Sequence, residues 1–210
     1  MEKQMVIWGA GGIGSALARL MIQNGWRVAV AGRHTAALQD TSAFLIETDL
    51  ASPAAVQAAS VEISQEMGPL DWWVYAAGDI LSKPTASLSP EEWQRILNAN
   101  LNGVFLTAHF SQSLLTSSAP LYILGAVNER MRLPGLSAYA AAKAGVEALG
   151  EVLRKELRRP VVVIRPGAVD TPLWAKVPFR LPAHSLKSTE LAERLYEAYQ
   201  GGFSEARMDL

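Results

Sequence analysis

Short runs of β-forming residues alternate with longer segments of helical periodicity along the whole chain, and this alternation restricts the fold more than any other feature. Met5 to Trp8 reads as a buried strand, and Ile13 to Gln23 repeats apolar residues at Ile13, Leu17, Leu20 and Met21, one face of a helix that Asn24-Gly25 stops. Arg27 to Ala31 is a second strand and Phe44 to Glu47 a third, followed by a helix from Ser52 to Met67 with Pro53 at its first position. Trp72 to Ala76 is a fourth strand, with the adjacent Trp72 and Trp73 read as strand core. Ser89-Pro90-Glu91-Glu92 combines a cap, a proline and an acidic first turn, which predicts a helix running to about Leu115. Leu121 to Leu124 is a fifth strand, and Ser137 to Arg158 is the longest helix, closed by Pro160. The β-branched run Val161 to Ile164 is typical of a strand buried on both faces; Thr189 to Tyr199 is a last helix, and Ala206 to Leu210 an added edge strand. The pattern predicts an α/β fold: a single doubly wound Rossmann-type domain over residues 1–210, with a parallel β-sheet of six to seven strands flanked by helices on both faces. Such a sheet takes its ligands at the carboxyl ends of the strands, where the strand order reverses.

Charge and composition remove several function classes. The 19 basic and 20 acidic side chains leave a net charge of -1, without the electrostatic footprint of a nucleic-acid or anionic-membrane binder, so a small-molecule partner is expected. With no cysteine, thiolate catalysis, disulfides and cysteine-ligated metals are excluded, and a reducing compartment suits the chain. His34, His109 and His184 lie far apart with no ligand spacing, so no metal site is expected. The apolar run near the start is too short for a signal peptide, and a cytoplasmic protein is expected.

Gly9-Ala10-Gly11-Gly12-Ile13-Gly14 follows the first strand and opens the first helix, the G-x-G-x-x-G arrangement of dinucleotide sites. Glycines there let the backbone turn tightly and approach a pyrophosphate, whose charge the helix N–H groups and dipole attract. An NAD site usually ends the second strand with a carboxylate for the ribose 2′-hydroxyl, whereas this strand runs into Gly32-Arg33-His34. Arg33 is either a solvated turn residue or the partner of a 2′-phosphate, and NADP(H) is therefore favoured over NAD(H). Asp49, after the third strand, is a candidate for the adenine edge or simply a helix-leading aspartate.

Tyr139 and Lys143 lie four residues apart in the first turns of the long helix, on one face. An ammonium near a phenol lowers its pKa from about 10 and fits it for general acid–base work, as would an oxidised nicotinamide. The spacing alone also occurs by chance, with the tyrosine a packing residue.

Together with these motifs, Leu70-Asp71-Trp72-Trp73-Val74-Tyr75-Ala76-Ala77-Gly78, Asn98-Ala99-Asn100-Leu101-Asn102-Gly103-Val104-Phe105, Pro134-Gly135-Leu136-Ser137-Ala138-Tyr139 and Arg165-Pro166-Gly167-Ala168-Val169-Asp170-Thr171 follow the order of the short-chain dehydrogenase/reductase family, which the chain resembles over nearly all of its length. The resemblance implies an NADP(H)-dependent oxidoreductase that moves hydride between nicotinamide and a carbonyl or alcohol. In it Tyr139 is the acid/base, Lys143 binds the nicotinamide ribose and lowers the phenol pKa, and Asn100 holds a relay water. Gly9, Gly11, Gly12, Ile13, Gly14, Arg33, Asp49, Ala77 and Gly78 would bind the cofactor, as would Lys143, with Pro166, Gly167 and Thr171 beside the nicotinamide. It also implies a substrate lid near residues 173–188, where Trp174 and Phe179 suggest a hydrophobic substrate. A homo-oligomer is expected through the helices at Glu91 to Leu115 and Ser137 to Arg158, with Ala144, Gly145, Ala148 and Gly150 admitting partner helices. The chain departs from the family in places. The glycine turn is one residue shorter, Trp8 replaces a small hydroxyl residue, and Tyr75-Ala76 replaces two asparagines that brace the central strand. Aligned back from Tyr139, the family's catalytic serine falls on Ala126, with Asn128 and Ser137 the nearest polar substitutes. Removing such a donor costs roughly 10²–10³ in rate. A dinucleotide-binding sensor or partner protein that has lost catalysis is the alternative expectation.

Overall fold

The computed structural model describes residues 2–127 and 132–210. Its strands are β1 (Gln4–Trp8), β2 (Arg27–Gly32), β3 (Phe44–Glu47), β4 (Trp72–Tyr75), β5 (Leu121–Leu124), β6 (Val161–Arg165), β7 (Val169–Asp170), β8 (Leu186–Lys187) and β9 (Arg207–Asp209). The helices are α1 (Gly12–Gln23), α2 (Pro53–Glu66), α3 (Pro90–Leu97), α4 (Gly103–Ser111), α5 (Ser137–Leu157) and α6 (Ser188–Gln200). Seven strands form one sheet in the order β3-β2-β1-β4-β5-β6-β9, every pairing parallel, while β7 and β8 pair separately. The predicted single doubly wound α/β domain is therefore present.

Parallel strands covered on both faces must be apolar on both faces, and β4 shows how. Trp73 and Tyr75 point to one side, among Val56, Ile63, Val104, Val146 and Leu153 from α2, α4 and α5. Trp72 and Val74 point to the other, among Leu17, Met21, Leu191 and Leu195 from α1 and α6. On that side Trp72 stacks on Tyr199 with ring centroids 4.6 Å apart and meets Trp26 edge-on at 6.1 Å. Trp72 and Trp73 are fully buried, and truncating either to alanine costs about 3–5 kcal/mol.

Local chemistry sets the helix boundaries. The Ser52 hydroxyl accepts from Ala55 N–H, and Ser89 and Glu92 form a reciprocal capping box at the start of α3. Arg158 ends α5 in the left-handed region (φ 51°), two residues before Pro160.

The single helix expected from Ser89 to Leu115 is instead three pieces, because a π turn at Asn98–Asn102 separates α3 from α4. Its cause lies in β4. Tyr75 hydroxyl donates to Ala99 O at 2.8 Å, and a Cβ on Gly103 would stand 2.2 Å from that hydroxyl, so the helix opens around the phenol and a glycine makes room. Tyr75 thereby braces the central strand from the position where the related pattern has an asparagine. The expectation that Gly145 and Gly150 admit partner helices is also corrected. A Cβ on Gly150 would stand 2.6 Å from Val163, and one on Gly145 2.9 Å from Leu101, so both serve packing within the chain.

Candidate active site

Strand order reverses between β1 and β4, and the two strands end side by side. Ala76 and Ala77 N–H both donate to Trp8 O, at 2.8 and 2.9 Å, bringing the turn after β4 against the glycine turn. Gly9 has φ +120° and a Cβ on it would stand 2.3 Å from Ala77 N, so only glycine fits. Gly14 lies behind the turn, where a Cβ would come within 1.9 Å of Gly9 O; it allows α1 to pack on β1 and does not line the cavity. Gly11 faces open space, with nothing within 4 Å of a built Cβ. α1 has neither the side-chain cap that α2 and α3 carry nor the acidic first turn of α3, so its leading N–H groups are left to a ligand.

Above this point opens a cavity of about 1150 Å³, larger than the 300–1,000 Å³ typical of a drug-sized ligand and able to hold a dinucleotide with a substrate. It brings together nearly all the residues singled out by sequence. Gly9, Gly11, Gly12 and Ile13 line it with Arg33, Asp49, Ala77 and Gly78. Asn100, Tyr139, Lys143, Pro166, Gly167 and Thr171 line it as well, as do Trp174, Val177 and Phe179. Arg33 is exposed at the end of β2. Asp49 Oδ1 accepts from Ala51 N–H at 3.0 Å, the local role of an aspartate ahead of a helix, while still lining the cavity. Thr171 packs toward the glycine turn, its Cγ2 3.4 Å from a Cβ built on Gly12. These features fit a nicotinamide dinucleotide: glycines where side chains would collide, free helix N–H groups for a pyrophosphate, and a cation where a ribose would end.

Lys143 is buried and donates from Nζ to Leu124 O at 2.7 Å; burial pulls its pKa down to about 8. The ammonium stands 5.6 Å from the ring centroid of Tyr139. Contrary to expectation, the Tyr139 phenol is not lowered: burial pushes it up to about 12. The lysine spends its charge on the strand carbonyl, and desolvation governs the phenol.

Asn100, in the π turn, is buried and donates from Nδ2 to Asp79 O at 2.7 Å and Ile96 O at 2.9 Å. Its Oδ1 has no partner among the described residues, and it lies 3.1 Å from where a Cβ on Gly78 would be. A buried acceptor of this kind calls for a bound water or ligand donor.

Ala126 sits in the cavity wall, so a methyl occupies the position aligned with the serine. Ser137 does not replace it: its hydroxyl accepts from Thr85 Oγ1 at 3.4 Å and does not line the cavity. Asn128 lies outside the described residues. Sequence reasoning missed Asp79, a buried carboxylate directly after Gly78 that pairs with Arg95 and with Lys176. An acidic residue immediately after a buried strand and its turn was the available signal. Among the described residues, no cluster of metal-ligating side chains is present and no helix is long and apolar enough to cross a membrane.

Comparison with known proteins defines the class. Residues 3–180 match the family model for short chain dehydrogenases. The chain is 30% identical over 187 residues to an uncharacterised oxidoreductase of Staphylococcus aureus strain USA300, covering 83% of this chain and 81% of that one. It is 31% identical over 189 residues to a similarly described protein of Staphylococcus epidermidis, covering 82% and 80%. Among solved structures it is similar to an alcohol dehydrogenase of the archaeon Thermococcus sibiricus complexed with 5-hydroxy-NADP, with a TM-score of 0.89, 25% identity and coverage of 100% and 96%. The chain belongs to the short-chain dehydrogenase family and is an oxidoreductase of that family.

Proposed function

We propose that this protein is an NADP(H)-dependent carbonyl reductase or alcohol dehydrogenase in which Tyr139 is the acid/base. One observation carries the reading: Tyr139, Lys143 and Asn100 meet in one cavity with the glycine turn, at the switch point of the sheet. When bound, the nicotinamide supplies or accepts hydride at the substrate carbon. The protein's own residues handle position and protons. With its pKa near 12, Tyr139 is protonated at neutral pH, the state needed to give a proton to the oxygen of a carbonyl being reduced. Lys143 Nζ, tethered to Leu124 O, keeps two further N–H donors that would hold the nicotinamide ribose. Asn100 Oδ1 holds a water that returns a proton to the site. Gly12 and Ile13 offer N–H groups to the pyrophosphate, Arg33 meets the 2′-phosphate, and Pro166, Gly167 and Thr171 bound the nicotinamide end. The NADP analogue held by the archaeal relative supports the choice of cofactor. Residues 173–188 act as the substrate lid, with Leu173, Trp174, Val177 and Phe179 among the cavity's lining. The exposed Phe105 on α4 and Val152 on α5 support assembly with a second copy.

Ala126 favours a second reading, a dinucleotide-binding protein with weak or no catalysis, because the wall offers a methyl where a carbonyl oxygen expects a donor. One assay decides between them. NADPH oxidation is followed over a panel of aldehydes and ketones with the wild type and Tyr139→Phe. Turnover that falls roughly 10²-fold or more in the variant, with NADPH affinity kept, supports the oxidoreductase. Tight NADPH binding with no turnover above that of the variant supports the second reading.

A further inference from the structure

Two cations from different parts of the chain, both lining the cavity, share one buried carboxylate. The Asp79 side chain is only 2% exposed. Its Oδ2 pairs with Arg95 of α3, and its Oδ1 accepts from Lys176 Nζ at 2.7 Å and from Ile80 N–H at 2.9 Å. Lys176 ends the 3₁₀ turn Pro172–Lys176, at the start of the lid segment. A buried carboxylate needs a compensating charge, and one cation balances it. Here there are two, so the group as a whole is positive. Arg95 and Lys176 leave 45% and 49% of their side-chain surface uncovered, and both line the cavity. A surplus charge in a cleft walled by protein is felt more strongly than on an open surface. Glu91, one turn before Arg95, also lines the cavity and keeps its negative charge; it is exposed in the first turn of α3, where solvent and the positive end of the helix offset it, and it accepts from the Ser89 hydroxyl at 2.7 Å. Beside the cations stand the apolar Trp174, Val177 and Phe179.

We propose that Arg95 and Lys176, positioned by Asp79, form an anion-receiving site, and that the substrate is a carbonyl compound carrying a carboxylate on an apolar, aromatic-sized frame. The anion completes the charge balance that Asp79 leaves open, and because Lys176 lies at the start of the lid segment, it ties that segment to α3 over the bound substrate. Among the described residues, the Asp79 carboxylate bonds to the two cations and to Ile80 N–H, so it acts through them as a positioning residue. The inference rests on reading this cavity as an oxidoreductase active site, yet binding can test it without turnover.

Benzoate and its uncharged counterpart benzamide are titrated by calorimetry, at low salt, into the full chain with NADP+ present and again without it. Benzoate binds about tenfold tighter than benzamide or better, as charge-assisted hydrogen bonds of this kind give. Lys176→Gln and Arg95→Gln, at half-exposed positions that leave the core intact, each lower that ratio by about fivefold or more, and added salt lowers it in the wild type. Benzoate binding no better than benzamide, including no binding of either, overturns the proposal. So does a preference that survives in the Arg95→Gln/Lys176→Gln double variant. NADPH oxidation is read separately: anion preference without turnover keeps this site and removes the hydride-transfer reading, whereas turnover without anion preference does the reverse.

Discussion

Lys143 titrates where few lysines do, because its ammonium is buried with the Leu124 carbonyl as its hydrogen-bond partner. A lysine in solution holds its proton to about 10.5 and this one only to about 8, so between those values the unfolded chain binds more protons than the folded one, and stability rises with pH. Tyr139 works in the opposite sense: raised from 10 to about 12, it makes the folded state the stronger proton binder above pH 10, and stability falls there. Melting temperature is therefore expected to climb between about pH 8 and pH 10, with up to roughly 3 kcal/mol from Lys143, and then to decline. In Lys143→Met the climb disappears; an unchanged slope in the variant contradicts the burial argument. Arg33 makes a different prediction. If it meets a 2′-phosphate, Arg33→Ala raises the Kd for NADP+ about tenfold or more and that for NAD+ by less than about threefold, measured by parallel titrations. Equal changes for the two cofactors would place Arg33 among solvated turn residues.

At the scale of elements, the glycine turn separates folding from binding. Gly14→Ala drives a methyl into Gly9 O, a backbone atom that cannot move without parting α1 from β1, so severe loss of stability or failure to fold is expected in thermal melts. Gly11→Ala meets nothing in the protein, so its melting temperature stays within a few degrees while dinucleotide affinity drops about tenfold or more, because the new methyl projects into the ligand's space. The strands of the seven-stranded sheet were legible in the sequence because each is written in local periodicity, and Phe44–Glu47 and Leu121–Leu124 have the bounds that their apolar runs predict; the two-residue β7 and β8 were not, being too short to carry a pattern. The π turn was not legible. It depends on the Tyr75 hydroxyl, 24 residues from Ala99 in sequence, and helical periodicity continues through it undisturbed. Within the site the motifs located the cavity-lining residues, yet the Asp79–Lys176 pair spans 97 positions and no local pattern announces it. The shift of Tyr139 was misjudged for a related reason. Spacing places a lysine near a phenol, but only the packed structure shows that the ammonium is engaged by a strand carbonyl and that burial outweighs it.

For the molecule as a whole, seven parallel strands converge on one reversal of order, which leaves one large cleft where the ends of β1 and β4 meet. Everything proposed for the chemistry is concentrated there: helix N–H groups for a dinucleotide, a protonated phenol, and cations beside aromatics. The cleft has a methyl at Ala126 where the related pattern has a serine, so the rate of the chemical step is expected to be modest even when binding is tight. The most direct measurement uses NADPH deuterated at the transferable C4 position, with a substrate drawn from the carbonyl panel, and examines the product alcohol by mass spectrometry. The account predicts one deuterium on the former carbonyl carbon, formed by the wild type and lost in Tyr139→Phe. A product without deuterium, or deuterated product formed equally well by the variant, would contradict it.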